Sequence, residues 1–323
     1  MSSWRAIQKE NFTDHQKLAQ FLQIDPKLIW KDRKFPLNLP KRLAEKIEKG
    51  SLEDPILRQF LPKIEETHEE PGFSLDAVGD VPSQRTERLL HKYQGRALIL
   101  STSACVMHCR FCFRKNFPYA KEKTDFSEEL DVIANDSSIE EVLLSGGDPL
   151  SLGNQALEGL FQKLNAIPHV KRIRFHTRFP IGIPERIDSE LLRIFALSRA
   201  QIYFIVHCNH PRELDEQIFK YLSAVQRLGI PVLTSTVLLR GVNDNVGVLK
   251  ELFTVFIDHG ILPYCISQLD RVMGISHFEV PMEEGKRLMA ELAKQMPGYS
   301  LPRYVQEVAG APSKIAITYV EES

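Results

Sequence analysis

Apolar, β-rich runs begin close to residues 141, 171, 201, 231 and 261, and each is followed by a helical pattern. A spacing near thirty residues suits a strand, a helix and a right-handed return to the next parallel strand. With a run ahead of them, the strands are 97–101 (ALILS), 142–144 (VLL), 171–176 (KRIRFH), 202–206 (IYFIV), 232–238 (VLTSTVL) and 261–266 (ILPYCI). Helices are predicted at about 127–135, 155–166, 188–198, 213–228, 246–258 and 282–295. The units share no common motif, so the period belongs to the fold and not to a solenoid. Six β/α units in a row imply a parallel sheet covered by helices. Such a sheet is either doubly wound or curled into a full or partial barrel. Polar residues follow every strand: Cys105–Arg114, Gly146–Asp148, Arg178, His207–His210, Arg240–Asp244 and Asp270. A doubly wound sheet gathers such residues at one switch point. A barrel gathers them at its C-terminal mouth. Six strands rather than eight favour a partial (βα)6 barrel.

The chain is expected to divide into an N-terminal helical wrap (1–95), the barrel (96–298) and a short C-terminal segment (299–323). Prolines punctuate the wrap, and the acidic run 64–70 (IEETHEE) reads as a solvated face or loop. Lys plus Arg number 41 against 42 Asp plus Glu, a net charge of −1. That balance gives no electrostatic reason to expect a nucleic acid or an anionic membrane as partner. The basic run Lys171, Arg172, Arg174, His176 and Arg178 alternates, which places one set inside the barrel mouth. No apolar run approaches the roughly 18 residues of a membrane span. The polar N-terminus lacks a signal peptide's apolar stretch, so a cytoplasmic location is expected.

There are five cysteines, and Cys105, Cys109 and Cys112 fall within eight residues in a C-x3-C-x2-C array. An odd count in a reducing compartment argues against a disulfide framework. Thiolates suit zinc or iron–sulfur clusters. A structural zinc needs four ligands, and His108, next to Cys109, would strain to reach the same ion. Three thiolates on a cubane leave one iron open to a substrate or cofactor. Three small buried hydrophobes are the plainer alternative, but three in one loop after a strand are improbable by chance. Cys208 and Cys265 are expected to be structural.

The C-x3-C-x2-C array after the first strand resembles the radical S-adenosylmethionine superfamily, and the runs CRFCFRKNFPY and SGGDPL narrow the resemblance. Within it, the chain is similar to the lysine 2,3-aminomutase family over roughly residues 50–315. Its nearest branch is the short bacterial enzymes that make (R)-β-lysine for modifying elongation factor P. The resemblance implies a 4Fe–4S cluster on Cys105, Cys109 and Cys112. It implies S-adenosylmethionine at Gly146, Gly147, Asp148 and His207. It implies a pyridoxal phosphate Schiff base on Lys314 of the run GAPSK, with Lys92 and Arg96 at the phosphate. Arg114 is implied to hold the substrate carboxylate, and Asp270 and Glu307 the distant ammonium of L-lysine. A flavodoxin- or ferredoxin-type reductant and a functional link to an elongation factor P lysine ligase complete the expectation of an isomerase.

The residues read alone leave plainer options. Gly-Gly-Asp-Pro makes a turn in any fold. A lone histidine is more often structural, Lys92, Arg96 and Lys314 can be solvated cations, and the two acids can be surface ion partners. The chain also departs from the family pattern. Lys92 stands where longer relatives have arginine, and Glu307 where relatives often have aspartate. Thr234-Ser235-Thr236 replaces a usual Asn-Gln-Ser, and no cysteine-rich zinc-binding tail follows Lys314 before Ser323. Three other readings stay open: an aminomutase for another amino acid, a radical enzyme without pyridoxal phosphate, and a non-enzymatic metal-binding module.

Overall fold

The computed structural model describes residues 3–32, 34–120 and 125–319. The strands are β1 (Gln84–Thr86), β2 (Leu89–Tyr93), β3 (Arg96–Thr102), β4 (Glu141–Gly146) and β5 (Arg172–Thr177). They continue as β6 (Gln201–His207), β7 (Val232–Val237), β8 (Leu262–Ser267), β9 (Arg303–Gln306) and β10 (Ile315–Ala316). All lie in one sheet in chain order. From β3 to β9 every neighbouring pair is parallel. The strand pair β1–β2 enters antiparallel on β3, and β10 returns antiparallel on β9. Among the described residues β1 and β10 do not pair, so the barrel stays open at one seam.

Alternation sorts the side chains. On β5, Ile173, Phe175 and Thr177 are buried while Arg172, Arg174 and His176 are half-buried on the opposite face. The buried set packs beneath the helices. Phe175 and Phe204 meet Phe161 and Phe195 from the covering helices with ring centroids 5.2–6.0 Å apart. Each such ring contributes about 2–3 kcal/mol by leaving water. Helices Ser127–Asn135, Asn154–Asn165, Ser189–Ala196, Glu216–Gln226, Val246–Asp258 and Met282–Ala293 fill the predicted gaps. Asp188, Asp215 and Asn245 stand just before three of them and accept their first free N–H groups, which sets where each begins.

Three expectations need correction. Residues 84–93 belong to the sheet and not to a helical wrap. The sheet has a seventh parallel strand, β9, inside the segment expected to follow the barrel. The acidic run is not simply solvated: the Glu66 side chain is 1% exposed. What remains of the wrap, with helices at Trp4–Gln8, His15–Leu22, Lys41–Glu45 and Pro55–Arg58, lies against the cysteine loop. No helix among the described residues is long and apolar enough to cross a membrane.

Candidate active site

The cysteine loop leaves the end of β3 and is clasped by the wrap. Asn11 donates to the carbonyl of Val106 at 2.7 Å, and Asn38 to that of Cys105 at 3.3 Å. The Arg110 N–H donates to the carbonyl of Gln59 at 2.8 Å. The Arg110 side chain, fully buried, meets Asp32 at 2.7 Å and Glu66, and Lys115 meets Glu66 at 2.6 Å. Two cations flanking the cysteines are thus tied to two anions of the wrap. His108 turns away, its Nδ1 2.8 Å from the Pro36 carbonyl and its ring stacked on Phe35. It is therefore engaged elsewhere and is no fourth ligand. Removing Glu66 strands buried charge, which costs about 3–5 kcal/mol. Glu66→Ala is expected to lower the thermal midpoint by several degrees in calorimetry, with Glu66→Gln intermediate.

The residues present fit an iron–sulfur cluster. Burial raises the thiols of Cys105 and Cys109 and pushes Cys112 up to about 11. Buried thiols become thiolates when a metal centre supplies the compensating charge. Among the described residues, no three His, Cys, Asp or Glu converge on one point as ligands of a single ion. A cubane asks for no such convergence, since each sulfur binds its own iron. Arg178 donates from Nη1 to the Cys109 sulfur at 2.8 Å. The sequence placed Arg178 after a strand but gave no sign of this contact, which joins residues 69 positions apart.

Gly146 and Gly147 carry β4 under that loop. Gly146 has φ +118°, and a Cβ on Gly147 would lie 2.3 Å from the Ala104 carbonyl. Both positions therefore require glycine for backbone approach. Asp148 is occupied: its carboxylate accepts from Thr177 at 2.7 Å, Arg178 N–H at 2.8 Å, Leu150 N–H at 3.0 Å and Phe179 N–H at 3.1 Å. It fastens the loops after β4 and β5 together. His207 ends β6, and its buried Nε2 has no partner; the same is true of His176 on β5. Burial holds both imidazoles well below the ordinary range, helped by Arg178 at His207 and by Arg174 at His176. Both are neutral near pH 7. Polar nitrogens left open in a barrel interior are what a polar ligand satisfies.

Four of the remaining predicted residues, Arg114, Lys92, Glu307 and Lys314, are joined through Asp80 in one chain of charges. Arg114 Nε lies 2.7 Å from Asp80, and Asp80 lies 2.8 Å from Lys92. Lys92 lies 3.1 Å from Glu307, and Glu307 lies 3.7 Å from Lys314. Tyr93 also donates to Glu307. Strand tilt staggers a barrel's register, so residues at the entrance of β3 can reach the exit of β9 across the open seam. Asp270 follows β8, and its carboxyl is pushed up to about 7. Burial is the main cause; Lys314 opposes it and Glu307 adds to it. Asp80 was missed by sequence reasoning. It is 2% exposed, and Arg114 and Lys92 outweigh its burial and hold it below the usual carboxylate range.

The fit to pyridoxal phosphate is good at Lys314, whose side chain is 45% exposed at this mouth. Arg96 lies over the Tyr93 ring at 4.5 Å. Lys92 already donates to Val78 O, Asp80 and Glu307. With three donors committed, it can take a phosphate only by exchanging one of them.

A family described as a 4Fe-4S single cluster domain matches residues 94–180. The L-lysine 2,3-aminomutase of Escherichia coli (strain K12) is 39% identical over 319 residues, 96% of this chain and 93% of its own. That of Haemophilus influenzae is 35% identical over 319 residues, 97% of this chain and 94% of its own. A solved structure described as native anSMEcpe with bound AdoMet and Kp18Cys peptide aligns with TM-score 0.44 and 11% identity, over 60% of this chain and 57% of that one.

Proposed function

Because the chain belongs to the lysine 2,3-aminomutase family, we propose that it converts L-lysine to β-lysine, with a cluster, S-adenosylmethionine and pyridoxal phosphate bound at the barrel mouth. One observation carries the reading. An unbroken series of ion pairs runs from Arg114, two residues past Cys112, through Asp80, Lys92 and Glu307 to Lys314. This series links the cluster loop to Lys314, about 200 residues away in the chain, and so supports a shared site.

When bound, the three groups supply the electron, the hydrogen-abstracting radical and the linkage that carries the migrating nitrogen. The chain's part is placement. Cys105, Cys109 and Cys112 would hold the cluster and leave one iron without a protein ligand. The unpartnered nitrogen of His207 and the close-packed Gly146–Gly147 turn would take S-adenosylmethionine. Asp148 would act there by fixing loops. Lys314 would hold pyridoxal phosphate through Nζ, with Arg96 and a re-paired Lys92 at its phosphate. Arg114 has the planar fork that suits a carboxylate. Asp270 and Glu307 offer two acids for an ammonium at the other end. Holding reactants in register and away from water is the large term a protein can add to radical chemistry.

Asp270 makes the substrate assignment testable by pH. Its folded value, about 7, lies above the unfolded value of 3.8. The folded state therefore binds more protons between these values, and stability falls as pH rises through that window. An incoming ammonium reverses the preference and expels the proton. Apparent affinity for L-lysine is expected to weaken about tenfold per pH unit below 7 and to level off above it. Asp270→Asn is expected to bind lysine weakly with a flat pH profile, and to be more heat-stable than the parent at pH 8 without ligand. Titration calorimetry across pH 5.5–8.5 reads the first, and thermal melts read the second. Turnover on L-lysine, L-arginine and L-glutamate tests the substrate: preference for glutamate would overturn the assignment.

The same reading extends outward. A flavodoxin- or ferredoxin-type protein would deliver the electron in the cytoplasm. The (R)-β-lysine would pass to a ligase acting on elongation factor P.

A further inference from the structure

We propose that Arg178 is a positioning residue that tunes the reduction potential of the iron–sulfur centre through its contact with Cys109. The inference rests on the reading of Cys105, Cys109 and Cys112 as cluster ligands. Hydrogen bonds to cluster sulfurs and nearby charge are principal levers on such potentials. Arg178 supplies both, with Nη1 2.8 Å from the Cys109 sulfur and only 6% of the residue exposed.

The guanidinium is held through both terminal nitrogens, while its buried Nε has no partner. Nη2 donates to Gln59 Oε1 and to Glu213 Oε2, each at 2.7 Å. The Arg178 backbone N–H donates to Asp148 at 2.8 Å. Phe60 and Phe111 lie against its plane, with centroids 5.0 and 5.3 Å from Cζ. Glu213 is fully buried, and its other oxygen accepts from the N–H groups of Asn209 at 3.1 Å and His210 at 3.0 Å and from Gln59 at 3.1 Å. The pair is neutral as a whole, yet it is oriented. Its cationic end touches the sulfur and its anionic end points away. Exclusion of water keeps this field unscreened. A positive end at the sulfur favours the more negative, reduced cluster, so the pair raises the potential and eases electron entry. A lysine has no fork with which to reach sulfur and carboxylate together.

The test is an anaerobic redox titration of the reconstituted full-length protein, without S-adenosylmethionine, followed by electron paramagnetic resonance. The variants are Arg178→Lys and the double variant Arg178→Gln/Glu213→Gln, which removes both buried charges while keeping polar partners. Iron content and visible absorbance report loading independently. At a fixed potential the double variant's reduced-to-oxidised ratio is expected to fall at least tenfold, a 59 mV downward shift for one electron. Arg178→Lys should fall in between. A loaded double variant with an unchanged midpoint would overturn the proposal and leave Arg178 a packing residue. Failure of both variants to take up iron, while the parent does, would also overturn it, since Arg178 would then be a clamp. A parent that binds no cluster would overturn the underlying reading as well, and iron analysis of the parent separates that case.

Discussion

Lys314→Ala is expected to form no measurable β-lysine, a loss of at least about a thousandfold, because the nucleophile proposed to hold pyridoxal phosphate is gone. The fold should hardly notice. Lys314 is half-exposed, and its contact with Glu307 spans 3.7 Å. Exposed pairs of this kind contribute about 0–1 kcal/mol. The variant should therefore melt near the parent, load its cluster and still cleave S-adenosylmethionine at a basal rate, while losing the visible absorbance of lysine-bound pyridoxal phosphate. Absorption spectroscopy and product chromatography read both halves. A variant that keeps that absorbance would move the cofactor to another lysine.

Replacing Cys109 or Cys112 by alanine is the second large effect. Each is half-buried in the loop that the wrap clasps. Two thiolates cannot retain a cubane that needs three protein sulfurs, so iron content should collapse and 5′-deoxyadenosine formation should fall by about a thousandfold or more. The lysine-linked chromophore should persist, since Lys314 leaves from a different segment next to β10. Opposite spectral phenotypes for the cysteine and lysine variants would separate two cofactor sites within one mouth. Cys109→Ala also leaves Arg178 Nη1 without its sulfur partner, so a modest additional loss of stability is expected there and not at Cys112.

The barrel was legible because its information is local. Periodic strands, capped helices and a dense cysteine triplet each declare themselves within a dozen residues. The helices Ser127–Asn135 and Val246–Asp258 fall where the apolar pattern placed them. What escaped notice depends on partners far away in sequence. β9 is four residues with an exposed arginine, too short and too polar to show a strand period, and it exists because β8 offers an edge. Glu66 looks like one acid among four in a polar run, and only Arg110 and Lys115 make it a buried anchor. Asp80 looks like a turn residue until Arg114 and Lys92 converge on it. Gly146 and Gly147 were readable as glycines that something approaches, but the closest approach is by the cysteine loop's own backbone. Charge pairing at long range leaves no periodicity, so a single sequence carries little trace of it.

Anaerobic turnover is the most direct test of the aminomutase activity. The protein, reconstituted with iron and sulfide and supplied with pyridoxal phosphate, S-adenosylmethionine and a one-electron reductant, is given L-lysine, and the products are resolved by chromatography with mass detection. β-Lysine is expected, with its formation abolished when any one of the three cofactors is withheld. Formation of 5′-deoxyadenosine without β-lysine, from protein shown to hold both an intact cluster and bound pyridoxal phosphate, would contradict that activity.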